Sequence, residues 1–328
     1  MKAFLYYGPQ DIRLEEVPLP QLSKGEVLVK IEAALTGGTD TKTYLRGHPR
    51  IIKEIPSAFG YEFAGIVEES KNENFHPGDR VVAANTAPCY ECFFCKKQEH
   101  QLCENLEFLN GSFAEYIKIP ARIGQHNLYK IPDSLDYKNA AATQTLAVCL
   151  HGFYKTEIKS GDNVVILGLG AIGQCFIKLC KRLVPDATII AVGRSDSKLE
   201  LAKKNGAILT MELPHGADKV IEAVGTPETW AQALSLVRPG GTVNFFGGCP
   251  KGSTIELDTY QVHYAETKLV GSFHHTPKYI QEALELLATK QIDMSDLITH
   301  ETPLSELETA LKMMISGEAM KVLIKHQA

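Results

Sequence analysis

Residues Asn163–Lys181 read NVVILGLGAIGQCFIKLCK and have the order of a strand, a glycine turn and a helix. The run that ends at Leu167 is rich in Val and Ile, which is typical of a buried strand. The turn GLGAIG follows directly, and helical spacing resumes at Gln174. A strand, this turn and a helix in sequence are the context that the dinucleotide-binding fingerprint requires.

Each glycine of the turn has a predicted role in holding a nucleotide. Gly168 makes the tight turn, Gly170 lets the backbone approach a pyrophosphate, and Gly173 lets helix and strand pack closely. Ala171 and Ile172, between these glycines, are predicted cofactor contacts as well, and the N-terminus of the helix that follows faces the phosphates. The alternative is a glycine turn with a purely structural role.

Length and composition limit the classes of protein to consider. A chain of 328 residues has room for two domains. A net charge of −5 gives no reason to expect nucleic acid or an anionic membrane as partner. No apolar run approaches the roughly 20 residues of a membrane-spanning helix, and the start, MKAFLY, resembles a first strand more than a signal peptide. We therefore expect a cytoplasmic protein.

The chain changes character near residue 137. Before it, short strands separated by turn signals predict a partly open β-barrel. After it, strands alternate with helices, which predicts a doubly wound parallel sheet of the Rossmann type. The predicted fold class is therefore α/β, with a catalytic domain at 1–145, a nucleotide-binding domain at 146–273, and a return segment at 274–328 that completes the catalytic domain.

Four of the eight cysteines lie within fifteen residues, in a lobe at about 85–105. Cys89, Cys92, Cys95 and Cys103 could surround one tetrahedral Zn²⁺ with no open position, which is a structural site. The alternative, four unligated thiols in a polar loop, would leave several open to oxidation. We expect one structural zinc ion per chain.

These motifs together resemble the zinc-type medium-chain alcohol and polyol dehydrogenases along essentially the whole chain. The matching segments are GEVLVKIEAA, GGTD, FGYEFAGIV, PGDRVV, the cysteine lobe, the glycine turn and DKVIEAVG. The resemblance implies a GroES-like catalytic domain and hydride transfer between a nicotinamide ring and a small-molecule substrate in an interdomain cleft. It also implies a homodimer or homotetramer built through the nucleotide domain.

The chain departs from this family at all three ligand positions of the catalytic zinc. Gly37 stands where the family has Cys, Tyr61 where it has His, and Gln144 where it has Glu or Cys. Glycine has no ligand atom, and neutral phenol and amide oxygens are poor zinc ligands. The sequence therefore predicts that catalytic zinc is absent. Asp40, Cys149 and His151 are conceivable substitutes, but structural roles are the simpler interpretation for each.

Without zinc, a developing oxyanion needs another donor. Tyr61 is the predicted donor, or else it merely fills the space left by the metal. By resemblance, Thr39 matches the family's hydroxyl relay, and Asp40 and Glu62 match residues around the ligands. A metal-free enzyme would favour substrates that need less polarisation, such as an activated C=C bond or a reactive aldehyde.

The residues after the second parallel strand favour NADP(H) over NAD(H). Gly193 stands where an NAD enzyme has an acidic residue, and Arg194 and Ser195 can bind a 2′-phosphate. The alternative is an ordinary turn with Ser195 as helix cap. By resemblance, Lys198 lies near the adenosine ribose and Lys321 near the pyrophosphate.

Further cofactor contacts are predicted at the carboxyl edge of the sheet, at Val224, Gly225, Phe246 and Gly247. His274 and His275 face the cleft or else form a hinge, and His48 is a possible rim residue. Trp230 is predicted to serve in packing. The third parallel strand, near Ile208, is predicted to be degraded or followed by an unusually short crossover.

The sequence predicts an NADP(H)-preferring reductase or dehydrogenase with structural zinc alone. Two alternatives remain: a catalytically silent NADP(H)-binding sensor, and a zinc alcohol dehydrogenase with relocated ligands.

Overall fold

The structure, a computed structural model, describes residues 1–210 and 212–325. The chain folds into two compact units. One is a terminal unit, Met1–Gln144 together with the segment from Thr276, and the other is an inserted unit, Thr145–His275. Within the described residues, no helix is both long and apolar enough to cross a membrane.

The first part of the terminal unit contains ten strands and the helices between them. The strands are β1 (Lys2–Gly8), β2 (Asp11–Glu16), β3 (Val27–Leu35), β4 (Ser57–Ala58), β5 (Glu62–Ser70), β6 (Arg80–Ala83), β7 (Thr86–Ala87), β8 (Glu107–Phe108), β9 (Tyr116–Ile119) and β10 (Leu128–Lys130). The helices are α1 (Gly38–Arg46), α2 (Phe93–Lys96), α3 (Ala121–His126), α4 (Tyr137–Ala141) and α5 (Thr143–Thr156), and the division into units falls within α5.

The inserted unit alternates strands with helices, as the sequence predicts. Its elements are β11 (Asn163–Leu167), α6 (Ala171–Leu183), β12 (Thr188–Val192), α7 (Asp196–Lys204), β13 (Ala217–Glu222), α8 (Pro227–Leu236), β14 (Val237–Phe245), α9 (Thr259–His263) and β15 (Lys268–Gly271). All five strands are parallel, in the order β12-β11-β13-β14-β15. The predicted doubly wound sheet is confirmed.

The strand that the sequence predicts between α7 and β13, near Ile208, is reduced to one residue. Ile208 forms an isolated parallel bridge to Ile190: its amide donates to Ile189 O at 2.8 Å, and its carbonyl accepts from Ala191 N at 2.9 Å. The expectation of a degraded strand is confirmed. The eight residues between Ile208 and Ala217 are enough for the return to β13, because an extended chain covers about 3.3 Å per residue and strands lie about 4.8 Å apart. Met211, within that segment, lies outside the described residues.

The return segment completes the terminal unit with α10 (Pro277–Ala288), β16 (Ile298–Pro303), α11 (Leu307–Ser316) and β17 (Lys321–Lys325). β17 pairs antiparallel with β3 and parallel with β16, inside a seven-stranded sheet that is open in the described residues. Strand β3 is apolar at almost every position because both of its faces are buried. Leu307, Leu311, Val322 and Ile324 from the return segment join the same apolar core as Val27.

Candidate active site and cofactor site

The glycine turn between β11 and α6 has the geometry that its predicted roles require. Gly168 has φ of 98°, and a Cβ there would lie 2.5 Å from Val224 Cγ2. A Cβ on Gly173 would lie 1.9 Å from Gly168 O. Both positions therefore accept only glycine. Gly170 is the N-cap of α6 and a Cβ there would meet nothing within 4 Å, so the approach to the helix N-terminus is open on that side.

The residues after β12 are arranged around Leu169. A Cβ on Gly193 would lie 2.7 Å from Leu169 Cδ1, so any larger residue at this position requires the Leu169 side chain to move. Arg194 is exposed. Ser195 is the N-cap of α7, but its side chain makes no capping bond and its Oγ lies 3.1 Å from Ser197 Oγ. Lys198 is half-buried, and its carbonyl accepts a bond from Gln174 Nε2 at 2.7 Å.

The ends of β13 and β14 lie side by side at the carboxyl edge of the sheet. Val224 has 42% of its surface exposed, and Gly225 has φ of 88°. A Cβ on Gly225 would lie 2.8 Å from Gly248 O, so the two loops are in close contact. Phe246 packs edge-to-face on Phe176, with ring centroids 5.0 Å apart. These positions stay predicted cofactor contacts.

Three oxygen atoms converge on Gly37, the first of the three positions predicted to replace a zinc ligand. A Cβ on Gly37 would lie 2.9 Å from Glu62 Oε1, 3.0 Å from the Tyr61 hydroxyl and 3.4 Å from Asp40 Oδ2. The Gly37 backbone is extended, with φ of −126°, so the lack of space and not the backbone favours glycine. Tyr61 and Glu62 therefore occupy the space that a cysteine side chain would need.

Helix α1 presents Asp40 to this cluster. The Gly37 amide donates to Asp40 Oδ2 at 2.8 Å, which caps the first turn of the helix. Burial and the neighbouring Glu62 carboxylate raise the pKa of Asp40 to about 8. At neutral pH this carboxyl group is therefore mostly protonated.

Tyr61 is buried, with 5% of its surface exposed. Burial, together with the negative charges of Asp40 and Glu62, raises the pKa of Tyr61 well above 10, and a hydrogen bond with Thr39 counteracts this only in part. The phenol therefore keeps its proton throughout the physiological range. A neutral phenol can donate a hydrogen bond but is a poor metal ligand.

Glu62 forms a buried ion pair with Lys321. The Lys321 ammonium lies 2.6 Å from Glu62 Oε2 and donates to Thr36 O at 3.2 Å, and both charged side chains are almost fully buried. No sequence pattern indicates this ion pair. Because Glu62 is bonded to Lys321, its carboxylate is not available as a ligand for a metal ion. The predicted contact between Lys321 and a pyrophosphate stays a prediction. Gln144, the third altered ligand position, is buried in the first turn of α5.

The four lobe cysteines form a geometry suited to one zinc ion. Their sulfur atoms all lie within 4.8 Å of one another, and the Cys89–Cys103 and Cys92–Cys103 pairs are 3.5 and 4.0 Å apart. Tetrahedral coordination with Zn–S bonds of about 2.3 Å places sulfurs about 3.8 Å apart. Among the described residues, no other group of three or more His, Cys, Asp or Glu side chains is close enough to share a metal ion. Relocated catalytic ligands are therefore not favoured.

Of the histidines considered as candidate site residues, His151, His274 and His275 lie together in the inserted unit, whereas His48 lies in the terminal unit. His151 Nδ1 lies 2.9 Å from His274 O, and the rings of His274 and His275 are 4.0 Å apart. Burial, together with His274 and His151, holds the pKa of His275 well below 6.5, so this imidazole is neutral. His48 is half-buried with a lowered pKa, again mainly because of burial. Substrate contact by these histidines stays a prediction.

Fold and site together define a medium-chain dehydrogenase, and comparisons with known proteins agree. The alcohol dehydrogenase GroES-like domain matches residues 23–133, and the zinc-binding dehydrogenase domain matches residues 171–289. The chain therefore belongs to the zinc-type medium-chain alcohol and polyol dehydrogenase family and is an oxidoreductase. The predicted family, the GroES-like domain and the Rossmann-type domain are confirmed.

Individual relatives cover the chain almost completely. Sorbitol dehydrogenase of Halalkalibacterium halodurans is 32% identical over 99% of this chain and 99% of its own. Sorbitol dehydrogenase of Bombyx mori is 31% identical over 99% of this chain and 98% of its own. A zinc-binding dehydrogenase of Sinorhizobium meliloti, solved with NADP bound, is 30% identical, has a TM-score of 0.90, and matches over 99% of this chain and 98% of its own. The silent-sensor alternative is not favoured, because the similar curated proteins are dehydrogenases.

Proposed function

We propose that this oxidoreductase transfers hydride between NADP(H) and a carbonyl or activated C=C bond, or the corresponding alcohol, without a catalytic zinc ion. The observation that carries the proposal is the convergence of Tyr61, Glu62 and Asp40 on Gly37. No thiolate is present at that position, the phenol occupies its space, and the nearest carboxylate is paired with Lys321. These residues do not suit a catalytic zinc ion.

Tyr61 takes over the activation of the substrate oxygen in this proposal. A bound nicotinamide supplies or accepts the hydride. The phenol, with its raised pKa, offers a hydrogen bond to the oxygen as negative charge develops on it. Thr39, hydrogen-bonded to Tyr61, and Asp40, protonated at neutral pH, are then the groups that can replace a proton lost by the phenol. Glu62 keeps Lys321 neutralised beside them.

The preference for NADP(H) is also proposed, and three features support it. Gly193 stands where an NAD enzyme has its acidic residue, so no carboxylate is present there to repel a 2′-phosphate. Arg194 is exposed next to it, and the Ser195 hydroxyl makes no capping bond to α7. A guanidinium and a hydroxyl are suitable donors for a 2′-phosphate. The relative solved with NADP is in agreement.

We further propose one structural zinc ion per chain, held by the four lobe cysteines. Their sulfur separations match a tetrahedral site. The Glu91 amide, which bonds the Cys89 sulfur, lowers the pKa of that thiol to about 6, whereas burial raises the pKa of Cys95 and Cys103 in the metal-free lobe. The thiolate is the form that binds zinc. Such a site holds the lobe together and leaves no position for substrate.

Location and assembly complete the proposal. All eight cysteines are free of disulfides, which supports the cytoplasm. A homodimer or homotetramer through the inserted unit is supported by its edge strand β15 and by the exposed rings of Tyr260 and Tyr264.

Metal counting combined with turnover tests the proposed function. We expect about one zinc per chain by mass spectrometry, and oxidation of NADPH with at least one member of a panel of enones, aldehydes and sugars. The Cys92→Ser variant should lose the zinc, while Cys249→Ser, a half-exposed cysteine outside the lobe, should keep it. Two zinc ions per chain, or activity restored only by added zinc, would contradict the metal-free proposal.

A further inference from the structure

Glu222, the last residue of β13, is a fully buried carboxylate that bonds the loop after it. Its Oε1 accepts hydrogen bonds from the amides of Val224 and Gly225 and from the Thr229 hydroxyl, each at 2.8 Å. Because both amides are directed inward, the turn presents the side chain of Val224 outward, with 42% of its surface exposed. The side chain of one buried residue thus determines how this turn faces solvent.

The same residue also bonds the neighbouring loop. The carbonyl of Glu222 accepts from Phe246 N at 3.1 Å and from Gly247 N at 2.9 Å. A Cβ on Gly247 would lie 2.3 Å from Gly225 N and 2.6 Å from Glu222 Oε2, so the loops after β13 and β14 are packed directly against each other.

Trp230, the single tryptophan of the chain, bonds the carbonyl of Gly247, whose amide is bonded to Glu222. Its indole N–H donates to Gly247 O at 2.9 Å, and its ring stacks on Phe245 with centroids 4.1 Å apart and an interplanar angle of 19°. Both backbone polar groups of Gly247 are therefore bonded, one to Glu222 and one to Trp230. Thr229 and Trp230 both lie in the first turns of α8, so this helix anchors the two loops at once.

The carboxyl group of Glu222 lies in surroundings where its burial must be offset by hydrogen bonds. Glu222 is 0% exposed, and its Oε2 has no hydrogen-bond partner. Burying such a group is costly, and the bonds from the Val224 and Gly225 amides and the Thr229 hydroxyl offset that cost. What the carboxyl group contributes is a fixed direction for two amides at the edge where ligands of parallel sheets bind.

We propose that Glu222 and Trp230 are positioning residues for the nicotinamide cofactor: they hold the loops at 224–225 and 246–247 in the conformation that binds it. This inference rests on the proposed function, since it takes these loops as cofactor contacts. Neither residue touches the reacting atoms. Loss of either should therefore weaken cofactor binding more than it slows the reaction at saturating cofactor.

The test measures NADPH affinity and kinetics on the full, zinc-loaded protein. Trp230→Phe keeps an aromatic ring at this position, removes the N–H donor to Gly247 O and reduces the area stacked on Phe245. One neutral hydrogen bond corresponds to about fivefold in affinity, and we expect the Kd for NADPH, measured by calorimetry, to rise by about that factor. The kcat should change by less than about twofold. Glu222→Gln, which keeps the shape but weakens three bonds to a charged acceptor, should raise the Kd at least tenfold.

Ser235→Ala is the matched control, because Ser235 is exposed on the same helix and its hydroxyl bonds only Gln232 O among the described contacts. It should leave the Kd unchanged. If both test variants lower the melting temperature but bind NADPH like the wild type, the residues are merely structural and the inference is wrong. If Glu222→Gln does not fold, Trp230→Phe alone decides. If the wild type binds neither NADPH nor NADH, it is the proposed function that fails.

Discussion

The Tyr61 hydroxyl lies where a side chain at Gly37 would extend: a Cβ on Gly37 would lie 3.0 Å from this oxygen. The resemblance predicts that these two positions correspond to the cysteine and histidine ligands of the family's catalytic zinc. On that predicted correspondence, the first position has no side chain in this protein and the second has a larger one. Because the Tyr61 side chain fills the space beside Gly37, a cysteine at position 37 fits only if Tyr61 is also replaced by a smaller residue.

Restoring the metal site should require all three ligand positions. Gly37→Cys alone should destabilise the protein by about 1–3 kcal/mol, because the new side chain overpacks against Glu62 and Tyr61. Gly37→Cys combined with Tyr61→His and Gln144→Glu should bind a second zinc ion. Urea denaturation and metal counting check the two expectations. A triple variant that folds but holds only one zinc would contradict the proposed alignment of these positions.

Replacing Tyr61 by Phe tests the phenol as donor. Removal of a positioned proton donor slows a reaction by about 10²-fold or more, so kcat should fall by at least that factor. Tyr44→Phe is the control, since it also loses a hydroxyl bond, to Glu308 at 2.7 Å in the same unit, yet is no part of the proposed chemistry. An unchanged kcat for Tyr61→Phe would show that Tyr61 only fills space.

Lys321→Met should cost much more stability than a typical lysine substitution. It would leave Glu62 as an unpaired buried charge, and breaking such a pair costs about 3–5 kcal/mol. The nearby Lys325→Met provides the comparison, because Lys325 pairs with Glu301 at the surface, where an ion pair contributes at most about 1 kcal/mol. Urea denaturation of both variants measures the difference. Equal losses would mean that the Lys321 pair is not buried.

The raised pKa of Asp40 predicts a dependence of stability on pH. The folded protein holds a proton on Asp40 up to pH about 8, whereas the unfolded chain releases it near the ordinary value of 3.8. Between these values the folded state binds more protons, so this group makes stability decrease as pH rises, by at most about 1.4 kcal/mol per pH unit. Asp40→Asn removes the effect. Relative to wild type, its free energy of unfolding should increase from pH 5 to pH 8, and a constant difference would contradict the prediction.

Arg194→Ala should reduce the preference for the phosphorylated cofactor. The KM for NADPH should rise about tenfold, since a charge-assisted bond to phosphate is lost, while the KM for NADH should change little. Lys204→Ala, at the exposed far end of α7, controls for a general loss of positive charge. If both variants show the same shift for both cofactors, Arg194 does not recognise the phosphate.

Features carried by neighbouring residues can be predicted from the sequence, whereas features carried by distant residues cannot. The turn at Gly168–Gly173 and the reduced third strand at Ile208 depend on local spacing, and both are confirmed. The pair between Glu62 and Lys321 joins residues 259 positions apart, and no local pattern encodes it. The packing role predicted for Trp230 agrees with its stacking on Phe245, but its bond to Gly247 depends on how two strands end side by side.

The pairing of β3 with β17 has a consequence for how the protein is made. Thr36 and Val322, bonded to each other at the junction of these strands, are 286 positions apart. During synthesis the whole inserted unit is made before β17, the last of the three partners of β3, exists. The central sheet of the terminal unit is therefore finished late, and until then one edge of β3 lacks its β17 partner. In the nascent chain the end of β3 at Ala34 and Leu35 therefore stays open to other strands until β17 is made.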